Sequence, residues 1–172
     1  MADAQTEQGS PFWRFSIRFY RRPGVADACI ALQDGCGVDV NILLFFLWLA
    51  LARRCVPSAA ATAVCEKVTP WQEDVVAPLR TLRRRLRDGS SLVERGAAEL
   101  FRTRIKAIEL ESERLQQESM FVLAAGLATE NASTVEAAAR ANVAAYEQAL
   151  ARTFAPGAVG VLVGALLADE PA

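Results

Sequence analysis

The sequence predicts an all-α fold: a single-domain helical bundle with a central buried apolar helix over about 39–54 and a long helix over about 92–127. Three observations carry that reading. Ile42 to Ala52 are eleven consecutive apolar residues, far short of the roughly twenty needed to cross a bilayer and in the range of a buried core helix. Phe101, Ile105, Ile108, Ser112, Leu115, Ser119 and Val122 recur at alternating intervals of four and three, the seam of a helix that packs against its neighbours in a bundle. No segment alternates apolar and polar residues for long enough to make a strand.

Taken in order, residues 1–9 read as a disordered lead, and residues 10–168 as one helical domain. Ser10 and Pro11 start the first helix, because a serine oxygen accepts from an early N–H and proline gives up a donor that had no partner there. Phe12, Trp13, Phe15 and Phe19 form its aromatic stripe, with Arg14, Arg18 and Arg21 opposite. A second helix spans Val25 to Cys36, with Gly35 or Gly37 as its breaker. Asp39 caps the third, which runs to about Arg54; its polar start argues further against a membrane span. A short helix over about Ala59 to Lys67 is expected to end before a new start at Thr69 and Pro70. Pro78 predicts a kink or a local break in the segment that follows. The turn Asp88-Gly89-Ser90-Ser91 leads to the long helix. Ser133 or Thr134 caps a further helix to about Arg152, and the glycine-interrupted apolar tail 158–168 completes the C-terminal part, 133–168.

With 172 residues, of which 52% are hydrophobic, the chain can bury a core without disulfides or metals. Cys29, Cys36, Cys55 and Cys65 contain no C-x-x-C pair, and the absence of histidine removes the mixed Cys/His zinc sites. They read as reduced, small core residues in a cytoplasmic protein. The polar opening lacks the basic and apolar regions of a secretory signal. No metal and no cofactor are implied, and no catalytic residue: serine or cysteine nucleophiles would lack a histidine base, and no phosphate-binding glycine loop occurs. Nothing in the residues asks for an enzyme.

A net charge of −1 argues against specific nucleic-acid binding. Charge is nonetheless uneven, because residues 80–106 carry nine basic side chains against three acids. Arg80, Arg83, Arg84 and Arg87 fall on one side of a helix and form a candidate interaction surface, either for phosphates or an acidic protein, or as a solvated face paired with nearby glutamates. Glu109, Glu111, Glu113 and Glu118 read as an exposed acidic stripe, with a hydrated Mg²⁺ site as the weaker alternative. Asp39 and Asn41 read first as capping residues and second as a candidate polar pocket.

Three strings, FWRFSIRFYRRPGVADACIALQDGCGVDVNILLFFLWLA, PWQEDVVAPLRTLRRRLRD and RIKAIELESERLQQE, carry a resemblance over about residues 12–118. In order they contain a Phe-Trp start, Pro-Gly-Val, Leu-Gln-Asp, Asp-Val-Asn, Pro-Trp-Gln and a Glu-Leu-Glu segment. The chain resembles a family of uncharacterised, mostly proteobacterial proteins, a domain of unknown function. The resemblance implies a small, soluble bacterial protein and transfers no mechanism; residues after about 125 carry none of its pattern.

Three functional expectations follow. The first is a non-enzymatic protein-interaction module that presents the Arg80 to Arg87 face to an acidic protein partner, with oligomerisation open. The second is a small-molecule or lipid-binding bundle whose pocket lies near Asp39, Asn41 and the aromatic first helix. The third is peripheral contact with anionic membrane or nucleic acid through the arginines.

Overall fold

A computed structural model describes residues 9–89 and 91–168 of the chain. Of the expected disordered lead over 1–9, residues 1–8 lie outside the described residues. Helices α1 (Pro11–Tyr20), α2 (Val25–Cys36) and α3 (Val40–Leu51) follow one another through tight turns. The Ser10 hydroxyl accepts from Trp13 N at 3.1 Å and caps α1. Gly37 closes α2 at a φ of 67°, a left-handed conformation that costs glycine nothing because it has no Cβ. Asp39 caps α3 as expected, its Oδ1 accepting from Asn41 N at 2.8 Å.

The α3 helix is apolar all round because other helices surround it. Nine of its residues, Asn41 to Leu47 with Leu49 and Ala50, are buried. Phe45 meets Phe12 of α1 edge-on, ring centroids 5.3 Å apart. Phe46 meets Tyr146 the same way at 5.5 Å. Beyond α3, Arg54–Cys55 (β1) pair antiparallel with Glu130–Asn131 (β2), a two-residue ladder too short for alternation to reveal in sequence.

The next region corrects the expected break before Pro70. Helix α4 runs without interruption from Ser58 to Trp71, through Pro70, into a π segment over Gln72–Val76 and then into α5 (Ala77–Arg85) and a 3₁₀ turn over Leu86–Asp88. Pro70 and Pro78 each remove a donor from the i to i−4 ladder, and the wide π turn between them absorbs the mismatch. The irregularity therefore replaces the expected new start, and it is the local break expected in the segment of Pro78.

Helix α6 (Arg95–Ala124) is the long one, and it corrects the expected seam. Of the heptad residues only Ile105 and Ser112 are buried, whereas Phe101, Ile108, Leu115 and Val122 are exposed. The buried face instead follows Ala98, Ile105, Glu109, Ser112, Gln116, Gln117, Met120 and Ala124. Polar residues turn inward because their partners are there, and a buried polar group with a partner avoids the desolvation cost it would otherwise carry.

Helices α7 (Val135–Leu150) and α8 (Pro156–Leu167) complete the chain. The apolar tail packs on its own domain, burying Leu162, Val163 and Leu166 against α2 and α7. Asn142 of α7, fully buried, donates to Phe46 O and Arg54 O at 2.9 Å each and accepts from Val56 N at 2.7 Å. One amide thereby satisfies the backbone where α3 ends. No helix among the described residues is long and apolar enough to cross a membrane.

Candidate functional site

The candidate site begins at the polar start of α3. Asp39 Oδ1 is committed to the helix cap, and Oδ2 accepts from Gln116 Nε2 at 2.8 Å. An ionised carboxylate only accepts, so Gln116 must offer it the NH₂ and turn its oxygen the other way. That oxygen accepts from Asn41 Nδ2 at 2.5 Å, and Asn41 Oδ1 accepts from Gln117 Nε2 at 2.7 Å. The result is a one-way chain of three amides ending on a carboxylate. Its open end is Gln117 Oε1, which is buried and has no partner.

Desolvation pushes the Asp39 carboxyl above the usual range, although its hydrogen bonds from Asn41 N and Gln116 pull the other way. Tyr146 of α7 fixes the same residue through the backbone, its hydroxyl accepting from Asp39 N at 3.0 Å.

The second candidate group divides. Arg80 Nε donates to Glu109 Oε1 at 3.1 Å and Arg80 Nη2 to Glu113 Oε1 at 2.6 Å. Arg83 forks onto Glu109, with Nε on Oε2 and Nη2 on Oε1. Bidentate guanidinium–carboxylate pairs of this kind are the strong class of ion pair. Burial of Glu109 opposes its ionisation, but the hydrogen bonds and charges of Arg83 and Arg80 outweigh it and hold the carboxyl below its ordinary value. Glu109 is thus a buried member of an ion-pair cluster, a correction to the expected exposed stripe, and Glu113 is half-buried beside it. Glu111 alone behaves as expected, exposed and paired with Arg114 one turn on. Arg84 and Arg87 are exposed.

These elements border a half-open cavity of about 420 Å³ between α1, α2, α3, α5 and α6, within the size range of small-molecule sites. Asp39, Asn41, Arg80, Arg83 and Arg84 all line it, so the structure brings the two sequence-derived groups together; Arg87, on the 3₁₀ turn, stays outside. Apolar walls come from Ile17, Ile30, Leu44 and Leu110. Three of its wall residues carry buried polar atoms without a partner: Trp13 Nε1, Ser16 Oγ and Gln117 Oε1. Each of those residues is at most 5% exposed.

Sequence reasoning missed Ser16, Gln116 and Gln117, and read the buried Glu109 as exposed. The available signal was that Glu109, Ser112 and Gln116 share one face of α6 through intervals of three and four, which is a buried-face spacing occupied by polar residues.

A protein-family model described as "Protein of unknown function (DUF2390)" matches residues 11–120. The chain belongs to the DUF2390 family. No curated protein and no solved structure matches it. Every residue lining the cavity lies inside the DUF2390 match, from Trp13 to Gln117. Helices α7 and α8 lie beyond it, yet they supply Tyr146 and Asn142 and cover α3.

The cysteines offer no chemistry to this site. All four are free thiols. Burial pushes Cys29 up to about 12 and Cys65 up to about 11, so neither is a thiolate nucleophile near neutrality.

Proposed function

We propose that this DUF2390 protein is a non-enzymatic, small-molecule-binding helical bundle of the bacterial cytoplasm, its ligand held in the cavity between α1, α2, α3, α5 and α6. The observation that carries the reading is that three residues lining one cavity, Trp13, Ser16 and Gln117, each hold a buried polar atom without a partner. Folded proteins rarely leave such atoms unpaired, and three grouped around one recess are what a ligand that draws those side chains toward it would complete. Their chemistry specifies it: an acceptor for the Trp13 indole N–H, a donor for the Gln117 oxygen, and an apolar body against Ile17, Ile30, Leu44 and Leu110. The exposed guanidinium of Arg84 at the same wall favours a ligand with an anionic group.

The reading that the arginine face docks an acidic protein is weakened, because Arg80 and Arg83 are already neutralised by Glu109 and Glu113. Of the four candidate arginines, Arg84 and Arg87 remain for an acidic partner, an anionic membrane or nucleic acid, a small charge set for affinity that would fall with salt.

Native mass spectrometry of the protein purified from its own cell tests the proposal. A stoichiometric small adduct that disappears in a Gln117→Leu variant of unchanged helicity supports it. A bare mass, with no thermal shift against a panel of small hydroxylated and amino carboxylates and phosphates, overturns it.

A further inference from the structure

We propose that α6 is also a self-association surface, on which two copies of the chain pair antiparallel about a two-fold axis between Glu111 and Ser112. The surface is separate from the cavity and does not depend on the proposed ligand.

The starting point is the apolar residues that α6 leaves uncovered. Phe101, Ile108, Leu115 and Val122 stand at successive intervals of seven and are 49%, 52%, 46% and 72% exposed. Seven-residue spacing keeps them in one line along the helix, a strip of about 32 Å at 1.5 Å per residue. Leu100, also exposed, and Trp71 of α4 widen it. Isolated apolar side chains on a surface need no explanation, but a continuous strip of this length does.

The N-terminal half of this helix also lacks covering. Helix α5 packs chiefly against α6 and has no buried residue, and between Glu99 and Glu111 only Ile105 and Glu109 are buried. Helices of this kind draw their stability from packing an apolar face, and here that face is open.

Charge and shape select a second copy as the occupant, and select its direction. From Arg95 to Lys106 the helix carries four basic residues against one acid, and from Ala107 to Ala124 four acids against one base. Glu109, Glu113 and Glu111 are held by arginines of their own chain, which leaves Glu118 as the acid beside the strip; antiparallel pairing sets Arg104 of each copy against Glu118 of the other, and parallel pairing does not. With the axis between Glu111 and Ser112, Phe101 faces Val122 of the second copy and Ile108 faces its Leu115. Arg104 then lies beside Glu118. The two Glu111 side chains meet near the axis already compensated, each holding two hydrogen bonds from its own Arg114 at 2.9 and 2.6 Å.

In this register the exposed Phe101 ring of one copy passes over an apolar recess of about 250 Å³ on the other, formed by Val68, Trp71, Leu115, Met120 and Leu123. Two-fold symmetry makes the contact twice, one aromatic knob per recess, as a self-complementary interface requires.

Sedimentation equilibrium of the full chain at 10 to 100 µM, a range of order ten around ordinary weak-dimer affinities, reads the proposal directly. The expected species is a dimer of two 18.6 kDa chains, shifted to monomer by Phe101→Glu and by Leu115→Arg with the helical signal retained. The register is read by disulfide trapping: mixed I108C and L115C chains should cross-link to each other, while neither single variant cross-links to itself above the background of the wild-type cysteines. A monomeric wild type throughout that range, a dimer indifferent to Phe101→Glu, or self-cross-linking of I108C each overturns it.

Discussion

Gln116 Nε2 lies 2.8 Å from Asp39 Oδ2, and this single bond sets the direction of every amide behind it. Because the carboxylate takes the NH₂ of Gln116, Asn41 must donate to Gln116 and Gln117 must donate to Asn41. The unfilled acceptor of Gln117 is therefore dictated from the cap of α3, three side chains away.

Asp39→Asn tests that dictation without removing the cap, since asparagine caps a helix as well as aspartate does. The expected outcome is reversal of the chain, with Gln117 Nε2 rather than Oε1 left without a partner. Stability at neutral pH should change by less than about 1 kcal/mol, while any native adduct is lost; chemical denaturation and native mass spectrometry read the two effects. Asp39→Ala, which loses cap and chain together, should cost about 2 kcal/mol.

The same residue carries a pH signature. Desolvation raises the Asp39 pKa in the folded chain, so over the window between its unfolded and folded values the native state binds the extra proton and stability falls as pH rises. Relative to wild type, Asp39→Asn should gain stability as pH climbs through that window. Urea midpoints measured across mildly acid pH check it, and parallel curves for the two proteins would count against it.

Glu109 has the opposite sign. Its folded pKa is held below the ordinary value by Arg83 and Arg80, so its contribution is complete above the unfolded pKa and is lost as pH falls through the folded one. Glu109→Gln leaves two guanidiniums facing a half-buried Glu113 and one neutral amide. A loss of about 2 to 3 kcal/mol at neutral pH is expected, together with a flatter acid limb in denaturation curves.

Ser16 separates stability from binding. Its buried hydroxyl has no partner, and an unpaired buried polar group costs free energy that an apolar replacement does not. Ser16→Ala should leave the free protein unchanged or more stable by up to about 1 kcal/mol, and should weaken retention of a co-purifying ligand. Loss of stability instead would assign the hydroxyl a structural role.

Asn142 measures how far the chain beyond residue 120 supports the rest. Its three buried hydrogen bonds tie α7 to the end of α3 and to β1. Asn142→Leu strands one backbone donor and two acceptors, an expected cost of about 3 kcal/mol or more. Thermal unfolding followed by circular dichroism reads it.

Much of the architecture was legible because it is written in local chemistry. Ser10, Gly37, Asp39 and Thr134 sit at the helix ends their residue types favour. The all-round apolarity of Ile42 to Ala50 gave its central position. Helix α6 was misjudged because its apolar heptad and its polar face are both periodic, and periodicity alone does not say which face finds partners. The partners of Gln116 and Gln117 lie 75 to 77 residues away in Asn41 and Asp39, beyond any local pattern. Asp39, Asn41 and the arginines were each visible as polar groups in unusual settings, but their meeting at one cavity depends on how α5 is turned toward α3 and α6.

That turning traces back to the π segment over Gln72–Val76. A π turn holds one more residue than an α turn, so the side chains after it are advanced by one step around the axis, about 100°. Arg80 and Arg83 reach Glu109 and Glu113 in this advanced phase, and a regular helix would aim them elsewhere. Deleting a single residue within 72–76 would rotate the guanidiniums off their carboxylates without altering either, making backbone phase the hidden adjustment on which the site's electrostatics rest.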